Sequence, residues 1–257
     1  MNQPQIKDLC TVTYTNSKCH DVLRVYVGQK NRFASGIKSY ILTDRFPDFD
    51  VSGHTVLIYQ DSDPYYVQWL KSLEYISEKF IIYQQEDFFL DGDVDYQEIK
   101  RCCDFLTRRK DYSFVRLLKI ALQGAIHRKE LKMKEFPDIE IEKNLFDCHT
   151  LDPDSFAFMM QSSIWKKTDF INLYNHVKSS LWLESREWDK GMRDLSIKGV
   201  FYYRGSRKEG LYHWNPEIWP HVCTAVGKGK WSLSHHGERL ASILREYNIN
   251  PRERGTR

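Results

Sequence analysis

Residues Lys79 to Gly92 read KFIIYQQEDFFLDG, and this stretch decides the fold. It opens as a buried strand, Phe80-Ile81-Ile82-Tyr83. Two acids follow, Glu86 and Asp87, and Phe88-Phe89-Leu90 then return to the core. Carboxylates at the last exposed position of a strand either belong to a turn or stand where a sheet edge meets a metal or a phosphate.

Upstream, three more short β-rich runs precede this one: Leu9 to Tyr14 (LCTVTY), Ser39 to Leu42 (SYIL) and Thr55 to Tyr59 (TVLIY). Each stops at polar residues, respectively Thr15-Asn16-Ser17, Thr43-Asp44 and Gln60-Asp61. Helical patterns lie between them. One covers Asp21 to Phe33. Another covers Tyr65 to Ile76, with Val67, Leu70, Leu73 and Ile76 at spacing three, Pro64 just ahead and Asp63 as a candidate cap. Alternating strands and helices of this kind predict βαβ units and a mainly parallel sheet. Ligands gather at the carboxyl ends of such strands. Any one Asp there reads first as a helix cap; three of four ends carrying one point to a site.

Downstream, Asp95 to Arg109 is helical, Tyr112 to Leu118 (YSFVRLL) and Val200 to Tyr203 read as strands, and Thr168 to Val177 reads as a helix. Lys119 to Leu145 has no clear period. No repeat, low-complexity linker or domain boundary interrupts the chain, so it reads as one domain, residues 1–257.

The 257 residues can bury a full core, and 41% hydrophobic with 28% charged residues is the balance of a soluble globular protein. A net charge of +3 gives no field suited to nucleic acid. The basic group Arg128, Lys129, Lys132 and Lys134, mixed with Glu130 and Glu135, reads as a solvated helix face. The 6 cysteines are irregularly spaced with no CxxC, which argues against zinc and a disulfide framework and for a reducing compartment. No signal-like run and no stretch of about 18 apolar residues occurs. The expected location is therefore cytoplasmic, which leaves room for peripheral membrane contact.

Paired carboxylates such as Glu86-Asp87 hold Mg²⁺ or Mn²⁺, hard ions that take oxygen ligands and share them with substrate phosphates. Asp61-Ser62-Asp63 and Asp91-Gly92-Asp93 are rival acid pairs, read instead as a cap and a turn. Nothing resembles GxSxG or GxxxxGK[ST]. Among His213, His221, His235 and His236, His221 is the one singled out for test. Trp165, Trp182, Trp214 and Trp231 either stack on sugars or fill the core.

The segments YILTD, IIYQQEDFFLDG, YSFVRLLK, QSSIWKK followed by LWLES, and GKGKWSLS, in that order, resemble GT-A glycosyltransferases. They look closest to sugar-transferase-like proteins of bacterial and large-virus surface-glycan loci. The resemblance implies a GT-A-like α/β fold: a mixed, mainly parallel sheet flanked by helices, with a nucleotide-sugar-binding half at 1–95 and an acceptor half at 96–257. It places the family's D-x-D on Gln85-Glu86-Asp87, with Gln at the first position, so that Glu86 and Asp87 would hold Mn²⁺ or Mg²⁺ and Asp87 would be the more secure ligand. It puts Thr13, Tyr14, Asp44 and Asp61 near the base and ribose of a nucleotide sugar. Gln161 to Trp165, with Trp182 and His221, would face the acceptor. Glu184 first, and Glu187 second, would be the base that deprotonates the acceptor hydroxyl. Arg116, Lys228 and Lys230 are candidate phosphate partners, since Lys228-Gly229-Lys230 is a loop whose backbone could approach an anion; otherwise it is a basic surface turn.

The expected function is transfer of a sugar from a nucleotide-sugar donor to a glycan or lipid-linked acceptor, with inversion. Two alternatives stand beside it: a nucleotidyltransferase, and an inactive GT-A-like protein that binds glycan or nucleotide. Against the first, Thr11 to Asn16 holds neither Gly nor Lys.

Overall fold

The computed structural model describes residues 5–120, 136–153, 155, 158, 161–179, 185–209 and 213–257, with the backbone alone at 185 and 186. Its first half follows the alternation read from the sequence. The elements are β1 (Leu9–Tyr14), α1 (His20–Phe33), β2 (Lys38–Thr43), β3 (His54–Ile58), α2 (Tyr65–Leu73) and β4 (Phe80–Gln85). All four strands are parallel, in the spatial order β3-β2-β1-β4. Cys10, Val12 and Tyr14 of β1 face α2, while Thr11 and Thr13 face the other way. A strand covered on both faces needs apolar or small residues throughout, which is why LCTVTY does not alternate cleanly. Asp63 is not a helix cap: its side chain pairs with Lys71 at 2.8 Å, and Pro64 occupies the cap position.

The second half adds α3 (Tyr96–Arg108), β5 (Phe114–Arg116), β6 (Glu140–Glu142), β7 (Leu145–Asp147), β8 (Ser163–Lys166), α4 (Lys167–Val177), α5 (Ser185–Asp194) and β9 (Gly199–Tyr202). They extend the same sheet to nine strands, β3-β2-β1-β4-β8-β5-β9-β7-β6. Only β7 and β8 run against the rest. The expected class is observed: α/β, with a mixed, mainly parallel sheet between helices.

Strand β8 overturns one expectation. It lies between β4 and β5, so Trp165 is an interior residue, 2% exposed, and not part of an acceptor wall. Its indole stacks on Phe114 at 4.4 Å and meets Phe170 edge-on at 5.4 Å. On that face α2, α4 and α5 close over a core of aromatic rings, among them Trp69, Tyr83, Tyr174 and Trp188.

Short ribbons and two helices complete the other side: β10 (Lys208–Glu209) with β11 (His213–Trp214), β12 (Val226–Gly227) with β13 (Lys230–Trp231), α6 (Leu233–Glu246) and α7 (Pro251–Arg254). Helix α6 packs on α1, and Gly28 makes the approach possible, because a Cβ there would sit 2.1 Å from the Tyr247 ring.

Candidate functional site

Strands β1 and β4 end side by side, with Tyr14 opposite Gln85. Beyond them lies a cavity of about 310 Å³, lined by Tyr14 to Asn16, Cys19, Tyr65, Gln85 and Glu86. Ligand pockets begin at about this size. The apolar wall is built from rings: Tyr14 stacks on Tyr59 and meets Tyr65 edge-on at 5.0 Å.

The polar wall is the acid pair. Glu86 is half-buried at the cavity, and Asp87 behind it is buried. Burial raises both carboxyls above the ordinary acid range, and the charge on Asp87 raises Glu86 further. The Val226 backbone N–H faces the Asp87 carboxylate and opposes the rise in part. Asp87 Oδ1 has no hydrogen-bond partner. Cys19 lines the cavity beside Glu86, and its thiol is pushed up to about 12, first by burial and then by the Glu86 charge.

Two crowded carboxylates, one with an orphaned oxygen, are a site that a cation would relieve. The donor set is all oxygen, which suits Mg²⁺ or Mn²⁺. Among the described residues, no three His, Cys, Asp or Glu side chains converge as a closed cage. The residues therefore fit an ion whose shell is completed by waters and substrate phosphates, the usual arrangement for Mg²⁺.

The loop after β1 is closed on itself. Ser17 donates to Asp44 from its backbone N at 2.6 Å and from its hydroxyl at 2.7 Å. Lys18 N donates to Asn16 Oδ1 at 3.0 Å, and Cys19 N to Asn16 O at 2.7 Å. Asp44 thus clamps the loop, with both carboxylate oxygens engaged. Thr13 leaves the expected site. It is fully buried, with its hydroxyl 3.5 Å from Gln84 Nε2 on the far face of β1. Asp61 is exposed in the turn after β3.

Other expected residues share the carboxyl edge of the sheet without lining the cavity. Arg116 ends β5, is buried, and acts electrostatically on Cys148. Gln161 precedes β8, which starts at this edge, and its buried Oε1 has no partner. Glu187 is exposed in the first turn of α5, whose last turn packs on the end of α4, with His176 3.3 Å from Asp194. Lys228 and Lys230 flank the exposed turn of the β12–β13 ribbon. Trp182 and Glu184 lie outside the described residues.

His221 is fully buried. Its Nδ1 is 2.6 Å from the Trp219 carbonyl and so carries the proton, while Nε2 has no partner. Burial pulls His221 down to about 4, leaving it neutral at physiological pH. It packs edge-on against Phe88, one residue after Asp87. Its place is the wall behind the acids.

Two residues at the site escaped the sequence reading. Cys19 sits against Glu86. Arg254 of α7 donates from Nε to Asp21 at 2.7 Å and from Nη2 to the Lys18 carbonyl at 3.0 Å, and its charge acts on Glu86. The one available signal was local: Asn250-Pro251 opens and Gly255 closes a short helix that presents Arg254.

No family model matches the chain, and no curated sequence relative does. Solved structures do resemble it. CMP:2-keto-3-deoxy-manno-octonic acid synthetase complexed with CTP aligns with TM-score 0.50 and 8% identity, over 94% of this chain and 100% of that one. The bifunctional IspDF of Campylobacter jejuni aligns with TM-score 0.48 and 10% identity over 77% of this chain. This chain spans 50% of the length of that bifunctional protein. A cytidylyltransferase of Leptospira borgpetersenii serovar Hardjo-bovis gives TM-score 0.42 and 12% identity, over 79% and 78% of the two chains. At these identities the likeness concerns the fold, a Rossmann-like α/β arrangement. Among the described residues, no helix is long and apolar enough to cross a membrane.

Proposed function

We propose that the protein is a nucleotide-sugar-dependent glycosyltransferase. The observation that carries this reading is the acid pair Glu86-Asp87 at the carboxyl end of β4, beside the Tyr14-walled cavity. In this reading the base of the donor lies against the Tyr14 ring, and its phosphates turn toward Glu86. Mn²⁺ or Mg²⁺, held by Glu86 and Asp87, would neutralise charge on the leaving diphosphate. The acceptor hydroxyl oxygen bonds to the anomeric carbon. The bond from that carbon to the phosphate oxygen breaks, and its electron pair leaves on the nucleoside diphosphate. The hydroxyl proton passes to a carboxylate base, contributing roughly 10²–10⁴-fold to the rate. Glu184 and Glu187 remain the two candidates for that base, with a glycan or lipid-linked molecule as acceptor and inversion as the outcome.

The second reading is nucleotidyl transfer; the synthetase whose fold this chain resembles was solved with CTP. It would need the loop after β1 to cradle a triphosphate. The fold likeness to that synthetase supports this reading better than sugar transfer; against it, the backbone donors of Ser17, Lys18 and Cys19 are already bonded, to Asp44 and Asn16.

Two assays decide. One follows release of nucleoside diphosphate from a panel of nucleotide sugars, with and without Mn²⁺. The other follows pyrophosphate release from nucleoside triphosphates with sugar acids or sugar phosphates. Metal-dependent diphosphate release is expected; pyrophosphate release alone would establish the second reading. Donor binding without turnover in either assay would leave a binding protein.

A further inference from the structure

We propose that Arg254 is the diphosphate-binding cation of this site, carried to it by residues 250–257. The inference rests on the nucleotide reading above and adds a residue to it. Arg254 is far from Glu86 in sequence, yet its guanidinium bonds the carbonyl of Lys18, the neighbour of cavity residue Cys19. Cys19 is acted on electrostatically by both Glu86 and Arg254. The cation therefore stands behind the cavity lining at Cys19, within electrostatic reach of the acid that would share an ion with a phosphate.

Its position is fixed on several sides. Asp21 of α1 accepts from Nε at 2.7 Å and also from Nη2. The Trp231 ring lies 5.8 Å beneath the guanidinium. The backbone on either side is tied down. Arg252 N donates to the Asn250 side chain at 3.1 Å, Trp231 N to Gly255 O at 2.9 Å, and Arg257 N to Trp231 O at 3.0 Å. Gly255, at φ 82°, turns the chain back along β13. The same β12–β13 ribbon supplies the Val226 N–H that faces Asp87. One ribbon thus positions both the second acid and the cation.

Nε and Nη2 are engaged, whereas Nη1 makes no hydrogen bond to an oxygen of the described residues. A planar guanidinium held by a carboxylate on one edge presents its other edge in a fixed direction, which suits phosphate oxygens. The alternative role is a staple of α7 onto α1, with no ligand. The two roles differ in what they predict for phosphate number.

The test measures dissociation constants by calorimetry for UDP, GDP, CDP and ADP and for the matching monophosphates, with and without Mn²⁺. The proteins are wild type, Arg254→Met, Arg254→Lys and Asp21→Asn. Arg254→Met is expected to weaken the bound diphosphate about tenfold or more while changing the monophosphate about twofold, since a charge-assisted hydrogen bond is lost only from the second phosphate. Arg254→Lys should recover part of the diphosphate affinity. Asp21→Asn, which breaks the staple but keeps the guanidinium, should lose less than Arg254→Met. Equal losses for mono- and diphosphates, or losses in Asp21→Asn matching those in Arg254→Met, would overturn the proposal and leave a staple. Unchanged diphosphate affinity in Arg254→Met would overturn it while the nucleotide reading survives. Failure of wild type to bind any of the eight nucleotides would sink both.

Discussion

Tyr14 lies flat against Tyr59, with ring centroids 5.0 Å apart and planes 4° apart. The stack is pinned at both ends. Tyr14 donates its hydroxyl proton to Gln68 Oε1 at 2.6 Å, and Tyr59 donates to the Thr15 carbonyl at 2.9 Å. One wall of the cavity is therefore rigid before any ligand arrives, which lowers the entropy lost on binding.

Ring and hydroxyl should separate on mutation. Tyr14→Phe keeps the ring and loses one hydrogen bond, a cost of about 1 kcal/mol in unfolding free energy. Nucleotide affinity should hardly move. Tyr14→Ala should weaken nucleotide binding by tenfold or so, by the usual worth of base stacking. Denaturant titration and calorimetry read the two effects. Equal affinity losses in both variants would assign the contact to the hydroxyl.

The acid pair makes a prediction of sign. Asp87 keeps its proton to higher pH in the folded chain than in the unfolded one. Between the ordinary acid value and the raised one, the native state binds more protons, so stability falls as pH rises through that interval. Asp87→Asn should make this slope shallower, leaving the share of Glu86, and raise the melting temperature at pH 8 in metal-free buffer. It should also abolish any Mn²⁺-dependent thermal shift with nucleotide. A variant that is less stable at pH 8 than wild type would mean the carboxylate is compensated by contacts other than the Val226 N–H.

The buried histidines act in the opposite direction. His213 and His221 are both pulled down to about 4 by burial. His213 is further disfavoured by His221, His235, His236 and Arg239, whose guanidinium is paired with Asp91 and Glu209. Between their ordinary value near 6.5 and about 4, the unfolded chain binds more protons. Stability should therefore drop as pH falls through that window. Melting curves from pH 7 to pH 4.5 should show a fall that His221→Gln makes shallower. An unchanged slope would mean His221 is not buried as described.

Trp165 tests the correction from acceptor wall to core. Trp165→Ala should cost about 3–5 kcal/mol in stability, as expected for a large buried ring. A wild-type melting temperature with a raised acceptor KM would instead restore the residue to the surface.

The first half was legible because β1, β2 and β4 are buried on both faces and α2 carries a clear period. LCTVTY, SYIL, TVLIY and FIIY cannot be much else between helices, and the acids after FIIY fall where the sheet places them. Strand β8 was hidden by its length: SIWK is four residues between polar neighbours, too short for any period, and only its partners β4 and β5 define it. The burial of Trp165 went with it. Asp44 reads as a strand-end acid in sequence, and only the chain turning back at Ser17 shows what it bonds. Arg254 lies in a charged run, PRERG, that looks like surface, and nothing local connects it to Glu86.

The pairing of Asp21 with Arg254 also spans 233 residues of chain. A chain made from its amino end can assemble β1, β2, β3 and β4 while residue 254 has yet to be synthesised. The acids and the ring wall would then exist before their cation does. Contacts this distant in sequence close late and slowly. If Arg254 holds the diphosphate, competence to bind it would wait on the arrival of residue 254 and would not come with the first four strands.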